Sequence, residues 1–281
     1  MQNHFKHCAT LVREVDRERY LATLFAPASN RDALFALYAF NVETSRVRDL
    51  AREPMPGEIR LQWWREVLLG ERAGEAASNP TAAALLETLG RHNHERLIAL
   101  IDARTFDLHN EPMPTIGGLQ SYAVRTAGSI FEMAARILAD DTGSEVATLA
   151  AEAGQAQTIA NVLAQLPRHA ARRQLYVPLE VLHHYRAEAD DIFALRATSE
   201  VRAALAELRL RARRHLAQVA AAGSEIPKST LAAFLPLAPL WRWLLDMERS
   251  DYDPFRPPQM APWRRQWRIW RAAKSFQGVG A

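Results

Sequence analysis

Apolar residues recur every three or four positions along nearly the whole chain, the spacing that lays them on one face of an α-helix. Leu34, Phe35, Tyr38 and Val42 form such a stripe in a helix predicted from Arg31 to about Asp49, with Asn30 as its cap. Pro54, Pro56 and Gly57 break it, and a second helix follows from about Glu58 to Gly70, carrying Trp63 and Trp64. Asn79-Pro80 opens a third helix through Leu89, and His94 to Leu108 reads as a fourth. The prolines and glycines between Glu111 and Gly118 mark a loop. Longer helices are predicted over Leu119–Ala139, over Glu145 to about Leu166, where Pro167 ends or kinks the pattern, and over Ser199–Ala222. Leu175–Pro178 is a short extended piece. Ser229–Glu248 is helical but interrupted by prolines, and a proline-rich break over Asp253–Pro262 precedes a last segment from Trp263 to Phe276. No alternating run is long enough for a sheet, and there is no internal repeat. The pattern predicts one all-α domain over residues 1–256 with an appended C-terminal amphipathic helix within 257–281.

Composition agrees with that picture. Only 12 of 281 residues are glycine, too few for the many tight turns of an all-β protein. A single cysteine, Cys8, excludes an internal disulfide framework and a cysteine-based zinc cluster, and it fits a reducing compartment. Met1–Thr10 is polar and lacks the apolar run of a signal peptide. The most apolar stretch, Leu231–Leu245, is interrupted by Pro236, Pro239 and Arg242 and is shorter than the roughly 20 residues a bilayer span requires, so no transmembrane helix is predicted. The formal net charge of +3 conceals an asymmetry. Residues 254–281 carry six basic side chains and no acid, which leaves 29 basic against 32 acidic residues in the body.

Two segments carry more than core. The first runs from Arg31 through Tyr38-Ala-Phe-Asn41-Val-Glu43-Thr-Ser45-Arg46 to Asp49. The second runs from Gly154-Gln-Ala156-Gln-Thr158 through Asn161, Gln165, Arg168 and His169 to Arg172-Arg173-Gln-Leu-Tyr176-Val-Pro178. In order and spacing they resemble the squalene/phytoene synthase family, which carries an arginine, a Tyr-Ala-Phe stretch and an Asp-Asp-x-x-Asp motif. Further along, that family has Gly-x-Ala-x-Gln-x-x-Asn, an Asp-x-x-x-Asp motif and an Arg-x-x-Tyr-Leu-Pro-like segment. The resemblance extends over roughly residues 14–256. It implies an isoprenoid synthase fold, with helices around a central cavity that holds prenyl chains. In the enzymes, aspartates stacked on two helices hold the magnesium ions that neutralise an allylic diphosphate leaving group.

At those positions the chain departs from the family. Alignment through Tyr38 and Asp49 puts Ser45 and Arg46 where the paired aspartates belong, and only Asp49 remains. Alignment through Gly154, Ala156 and Asn161 puts Gln165 and His169 at the second aspartate pair, with Thr158 for the glutamine; Val42 takes the place of an arginine in the first motif. One carboxylate beside an arginine makes a poor magnesium site. No metal or other cofactor is therefore expected, magnesium being required only if the chain is an active enzyme. Two readings stay open. Either the pocket no longer ionises a diphosphate, or arginines among Arg46, Arg48, Arg168, Arg172 and Arg173 bind an anion in place of metal; surface ion pairing is the alternative role for these arginines. The residues expected to line the degenerate prenyl-diphosphate pocket are Arg31, Tyr38, Ser45, Arg46, Asp49, Asn161, Gln165, His169, Arg173 and Tyr176.

Within the family, Leu37–Glu43, Arg60-Leu-Gln62-Trp63-Trp64, Arg91-His92-Asn93, Asp102-Ala-Arg104 and Asp251-Tyr-Asp-Pro-Phe255 are most similar to a non-catalytic branch, the phytoene-synthase-like assembly factor of respiratory complex I. That resemblance implies an assembly role, with a complex I subunit or assembly intermediate as partner and a prenyl or lipid-like ligand in the cavity. The rival reading is an active head-to-head prenyltransferase of isoprenoid biosynthesis; a third is a lipid-binding module without an assembly role.

The smaller signals favour structure over chemistry. His92 and His94 fall on different helix faces, so with Asp102 and Asp107 they make a weak metal site. Asp140-Asp141 and Asp190-Asp191 suit helix capping, and His183-His184 suits a helix C-terminus. Asp102, Arg104 and Asp107 either line the cavity or form an i, i+3 surface pair. In the tail, Trp263, Trp267 and Trp270 share one helix face among Arg264, Arg265, Arg268, Arg271 and Lys274. That composition suits a membrane interface or a partner protein, with intramolecular packing as the alternative; no nucleic-acid contact is expected. The expected location is cytoplasmic, peripheral on the inner membrane.

Overall fold

The computed structural model describes residues 2–51, 53–90, 93–139, 144–223 and 227–274. Among them there is no strand. The α-helices in chain order are α1 (Gln2–Val15), α2 (Arg17–Thr23), α3 (Ala28–Ser45), α4 (Val47–Leu50), α5 (Pro54–Leu69), α6 (Ala73–Ser78), α7 (Pro80–Thr88), α8 (His94–Arg104) and α9 (Ile116–Ala123). They continue as α10 (Ser129–Leu138), α11 (Ser144–Ala164), α12 (Leu166–Ala171), α13 (Leu179–His184), α14 (Ala189–Phe193), α15 (Ser199–Ala222), α16 (Leu231–Phe234), α17 (Leu240–Asp246) and α18 (Pro262–Lys274). Two compact bodies emerge, one from Met1–His109, Ser129–Ala150 and Ile226–Pro236, the other from Asn110–Gly128, Ala151–Glu225 and Leu237–Ala281.

In the first body α3 is the central helix. Leu34, Ala36, Leu37, Ala39 and Phe40 are fully buried, so apolar residues face inward on more than one side, the mark of a helix surrounded by others. α1, α7 and α10 pack on it. Phe40 meets Trp64 of α5 edge to face at 5.0 Å, and Phe131 of α10 stacks on Phe234 of α16 at 5.7 Å. Burying each such ring contributes roughly 1.5–3 kcal/mol. Glu132 on α10, buried, accepts from Arg96 at 2.7 Å and from Arg136 at 2.9 Å, so the carboxylate is held by two guanidiniums.

In the second body the Thr198 hydroxyl caps α15 by accepting from Val201 N at 3.2 Å. Val201, Ala204, Leu205, Leu208, Ala212, Leu216 and Val219 form its buried stripe. α13 and α17 pack against this helix. Extended residues 175–178 are anchored to the loop before α9: Met113 N donates to Leu175 O and Leu179 N to Met113 O.

Several boundaries differ from those the pattern suggested, each for a local reason. Asn30 does not cap α3. Pro27 holds the N-cap position, and the Asn30 amide donates to Ile137 O at 2.5 Å instead. Arg46 (φ −98°, ψ 5°) separates α3 from the short α4, so the first motif is not one straight helix to Asp49. α5 starts at Pro54, because proline's fixed φ and missing N–H suit a first turn. The loop after Glu111 ends at Thr115, whose hydroxyl accepts from Gly118 N and starts α9 over the two glycines. What the pattern suggested as one helix from Leu119 to Ala139 is α9, a π-turn over Val124–Gly128, and α10. Pro167 lies in the first turn of α12. Asn79 and Pro80 open α7 as expected, with Asn79 accepting from Ala82 N at 3.0 Å.

Candidate functional site

The first motif lies on α3 and α4. Tyr38 is 1% exposed, and burial pushes its phenol well above the usual range. The buried guanidinium of Arg19 lies 5.5 Å from the Tyr38 ring centroid and 5.7 Å from that of Phe131, and it donates to Asp16 Oδ2 at 2.6 Å. Arg31, expected in the pocket, donates from Nε to Ala26 O at 3.0 Å and from Nη2 to Leu24 O at 2.9 Å, holding the turn after α2. Ser45 donates back to Val42 O at 3.2 Å. The Nε of Arg46 is 4.0 Å from Oδ2 of Asp49, and Arg48 donates to Ala51 O at 3.3 Å.

One turn before Ser45, half-hidden polar groups meet. Arg104 of α8 donates to Asn41 Oδ1 at 3.3 Å and lies 3.4 Å from Asp107. All three are largely buried. The i, i+3 pair is therefore an interior link and not a surface one. Asp102, by contrast, pairs with Arg65 at 2.7 Å on the surface. Glu43, half-buried, accepts from the Thr81 hydroxyl at 2.5 Å, and burial raises its carboxyl above the ordinary range against the pull of that bond, His7 and Arg60.

The second motif starts with a close contact. A Cβ on Gly154 would lie 2.4 Å from Gly128 N and 3.0 Å from Ala123 O, so the helix backbone rests directly against the π-turn. Two turns on, Asn161 is exposed. Gln165 N donates to Asn161 O and His169 N to Gln165 O, each at 2.9 Å. These i, i+4 bonds stack Asn161, Gln165 and His169 one above the other across the junction of α11 and α12. The His169 ring packs 4.6 Å from the Tyr176 ring, and Tyr176 lies 6.1 Å from Tyr122. Arg173 has φ 53° and points away from this ladder: its guanidinium sits 4.7 Å over Phe193 and 3.8 Å from Asp190.

Neither motif helix, taken by itself, presents a donor set that fits magnesium. At Asn161, Gln165 and His169 the second helix offers two amides and an imidazole, with no carboxylate. The first offers Asp49 with Arg46 beside it and Ser45 bonded to its own backbone. Magnesium requires several hard oxygens in near-octahedral array, and neutral nitrogen or amide groups are poor substitutes. Among the described residues no group of three or more His, Cys, Asp or Glu side chains is arranged to hold a metal. His94 Nδ1 is bonded to Leu68 O at 2.8 Å, while His92, Asp140 and Asp141 lie outside the described residues. Asp190 and Asp191 occupy the first turn of α14, with Asp191 paired to Arg196, and His183 and His184 end α13.

Sequence reasoning did not find Arg19, Asn41 or Glu132. Asn41 lies four residues before Ser45, so helical spacing would have placed it on the motif face. Nothing in the local sequence separates buried Arg19 from the neighbouring arginines.

Solved structures share this architecture. A dehydrosqualene synthase in complex with ligand superimposes with a TM-score of 0.81 at 18% identity, over 98% of this chain and 96% of that one. A squalene synthase from Alicyclobacillus acidocaldarius gives 0.75 at 25% identity, over 90% of this chain and 95% of that one. Among sequences, complex I assembly factor 6 of Rattus norvegicus is 30% identical over 254 residues, 89% of this chain and 76% of that protein. The 15-cis-phytoene synthase of Synechococcus elongatus is 25% identical over 276 residues, 93% of this chain and 89% of that enzyme. The sequence signature of squalene/phytoene synthases matches residues 12–271, and with the motif order and the helical architecture it makes this chain a member of the squalene/phytoene synthase family with the isoprenoid synthase fold.

Proposed function

We propose that this chain is a non-catalytic member of its family that assists the assembly of a respiratory NADH dehydrogenase of the complex I type. It binds a prenyl or lipid-like ligand without ionising it. What carries this reading is the residue set of the two motifs: by motif spacing, Ser45, Arg46, Gln165 and His169 fall at the positions expected to hold the enzymes' aspartates. The extended similarity to assembly factor 6 supports the assembly role. No helix among the described residues is long and apolar enough to cross a membrane, which accords with a cytoplasmic protein working at the inner membrane from its surface.

The second reading, an active head-to-head prenyltransferase, draws on the similarity to phytoene synthases. One assay separates the two. Purified protein is incubated with farnesyl or geranylgeranyl diphosphate and magnesium, and diphosphate release is measured. Release at the level of a protein-free control is expected; release above it overturns the non-catalytic reading. The assembly role is tested by deleting the gene in its host. NADH-dependent quinone reduction in membranes is expected to fall and to return with the wild-type gene; unchanged activity and unchanged complex size refute it.

A further inference from the structure

Helix α18 is built the wrong way round for a helix that serves only to pack. At about 100° per residue, Trp263, Trp267 and Trp270 lie within an arc of about 60°. A globular helix turns its largest apolar face inward. Here the inward face is the small one: Ile269 and Ala272 are each 1% exposed, while Trp263 is 64% exposed and Trp267 and Trp270 are each 47% exposed. Intramolecular packing, one of the uses expected from sequence, thus covers only part of each tryptophan. Three cations stand on the same side. Arg264 lies 5.2 Å over the Trp263 ring, Arg271 5.4 Å over Trp267, and Lys274 3.9 Å over Trp270. Arg265, on the inward side, is bonded to Met260 O. Residues 262–274 contain no carboxylate.

We infer that this face is a docking surface for an anionic lipid bilayer. Indoles settle at the boundary between headgroups and acyl chains, apolar ring inward and N–H toward water. The cations above them sit at headgroup depth and meet phosphate. A protein partner would also cover indoles. Yet the exposed strip is a single row of three indoles, each with a cation above it and no acid among them, and that charge pattern complements a negatively charged plane. The helix is held in place from behind by Ile269 and Ala272, so it is presented to the bilayer already formed.

The test is vesicle flotation of the full-length protein, using phosphatidylcholine vesicles with or without about one third phosphatidylglycerol. Two variants are compared, Trp263→Ser/Trp267→Ser/Trp270→Ser and Arg264→Glu/Arg271→Glu/Lys274→Glu. Because the buried Ile269 and Ala272 that hold the helix are kept, both variants are expected to stay folded, which their melting curves check. Wild-type protein is expected to partition at least about tenfold better onto anionic than neutral vesicles, with the preference lost in about 1 M salt. Both variants are expected to lose the anionic binding. No flotation of wild type, equal flotation on both lipid compositions, or undiminished binding by either variant overturns the proposal. Loss of complex I assembly in the same variants, with no vesicle binding by wild type, would assign the face to a protein partner instead. Flotation involves no respiratory complex, so its failure leaves the assembly role to its own deletion test.

Discussion

Replacing Gly154 by alanine tests how the second motif is positioned. Two terms oppose each other. Alanine is favoured over glycine in a helix interior by about 1 kcal/mol. Against that, the new Cβ would lie 2.4 Å from Gly128 N and 2.6 Å from its Cα, where ordinary contact begins at 3.4 Å. The two backbones must therefore separate by about 1 Å, and neither can swing aside as a side chain could. Overpacking of this kind costs typically ~1–3 kcal/mol. With backbone on both sides the upper end applies, so the net loss is about 2 kcal/mol. For a chain of this size that lowers the melting temperature by roughly 4–8 °C. Thermal unfolding followed by circular dichroism reads it directly. Gly74→Ala is the control: nothing lies within 4 Å of a Cβ there, so only the propensity term acts and the melting temperature is expected to hold or rise slightly. If Gly154→Ala melts at or above wild type while Gly74→Ala behaves as stated, the close approach of α11 to the π-turn is wrong.

Two further outcomes follow from buried titratable groups of the first body. Burial raises the Glu43 carboxyl in the folded chain above its unfolded value, so the stability this group contributes is present below the unfolded pKa and is lost as pH rises through the folded one. Glu43→Gln keeps the acceptor for Thr81 and removes the charge. It is expected to match or exceed wild-type stability at pH 8, with the difference vanishing toward pH 4; a pH-independent loss contradicts the burial argument. Cys8 is fully buried, and burial first of all pushes its thiol up to about 11. A disulfide reagent at pH 8 is expected to label the native protein slowly and the denatured protein at once, and rapid native labelling would show that Cys8 is accessible.

The helices were legible because the information that makes them is local. The apolar stripe of α15 and the caps at Asn79 and Thr198 involve residues within one or two turns. The π-turn was not legible, since it rests against Gly154, some thirty positions along the chain, where two backbones meet. Asn30 was misread for a similar reason. Its side chain suits a cap, but a carbonyl at Ile137 claimed it. In the site, the residue types at positions 45, 46, 165 and 169 could be read from sequence; the direction of long side chains could not. Arg31 and Arg173 share motif spacing with Tyr38 and Tyr176, yet one holds the carbonyls after α2 and the other reaches toward Asp190. Spacing likewise could not distinguish the interior pair Arg104–Asp107 from the surface pair Arg65–Asp102.

These directions narrow what the motif helices can do with charge. A diphosphate leaving group needs positive charge placed at its oxygens, from metal held by carboxylates or from arginines directly. If the motif spacing read from the sequence holds, the carboxylate route lacks its donors at four of the five motif positions. The arginine route requires guanidiniums aimed at a common point, and those with visible partners are aimed elsewhere: Arg31 at Leu24 and Ala26, Arg48 at Ala51, Arg46 beside Asp49, Arg173 at Asp190. Each of these contacts occupies only part of a guanidinium's five N–H donors, but it fixes the direction in which the side chain reaches. The backbone bonds linking Asn161, Gln165 and His169 meanwhile bridge the break between α11 and α12 at Gln165. The non-catalytic reading proposed above rests on this difference in charge, and the diphosphate-release assay tests it.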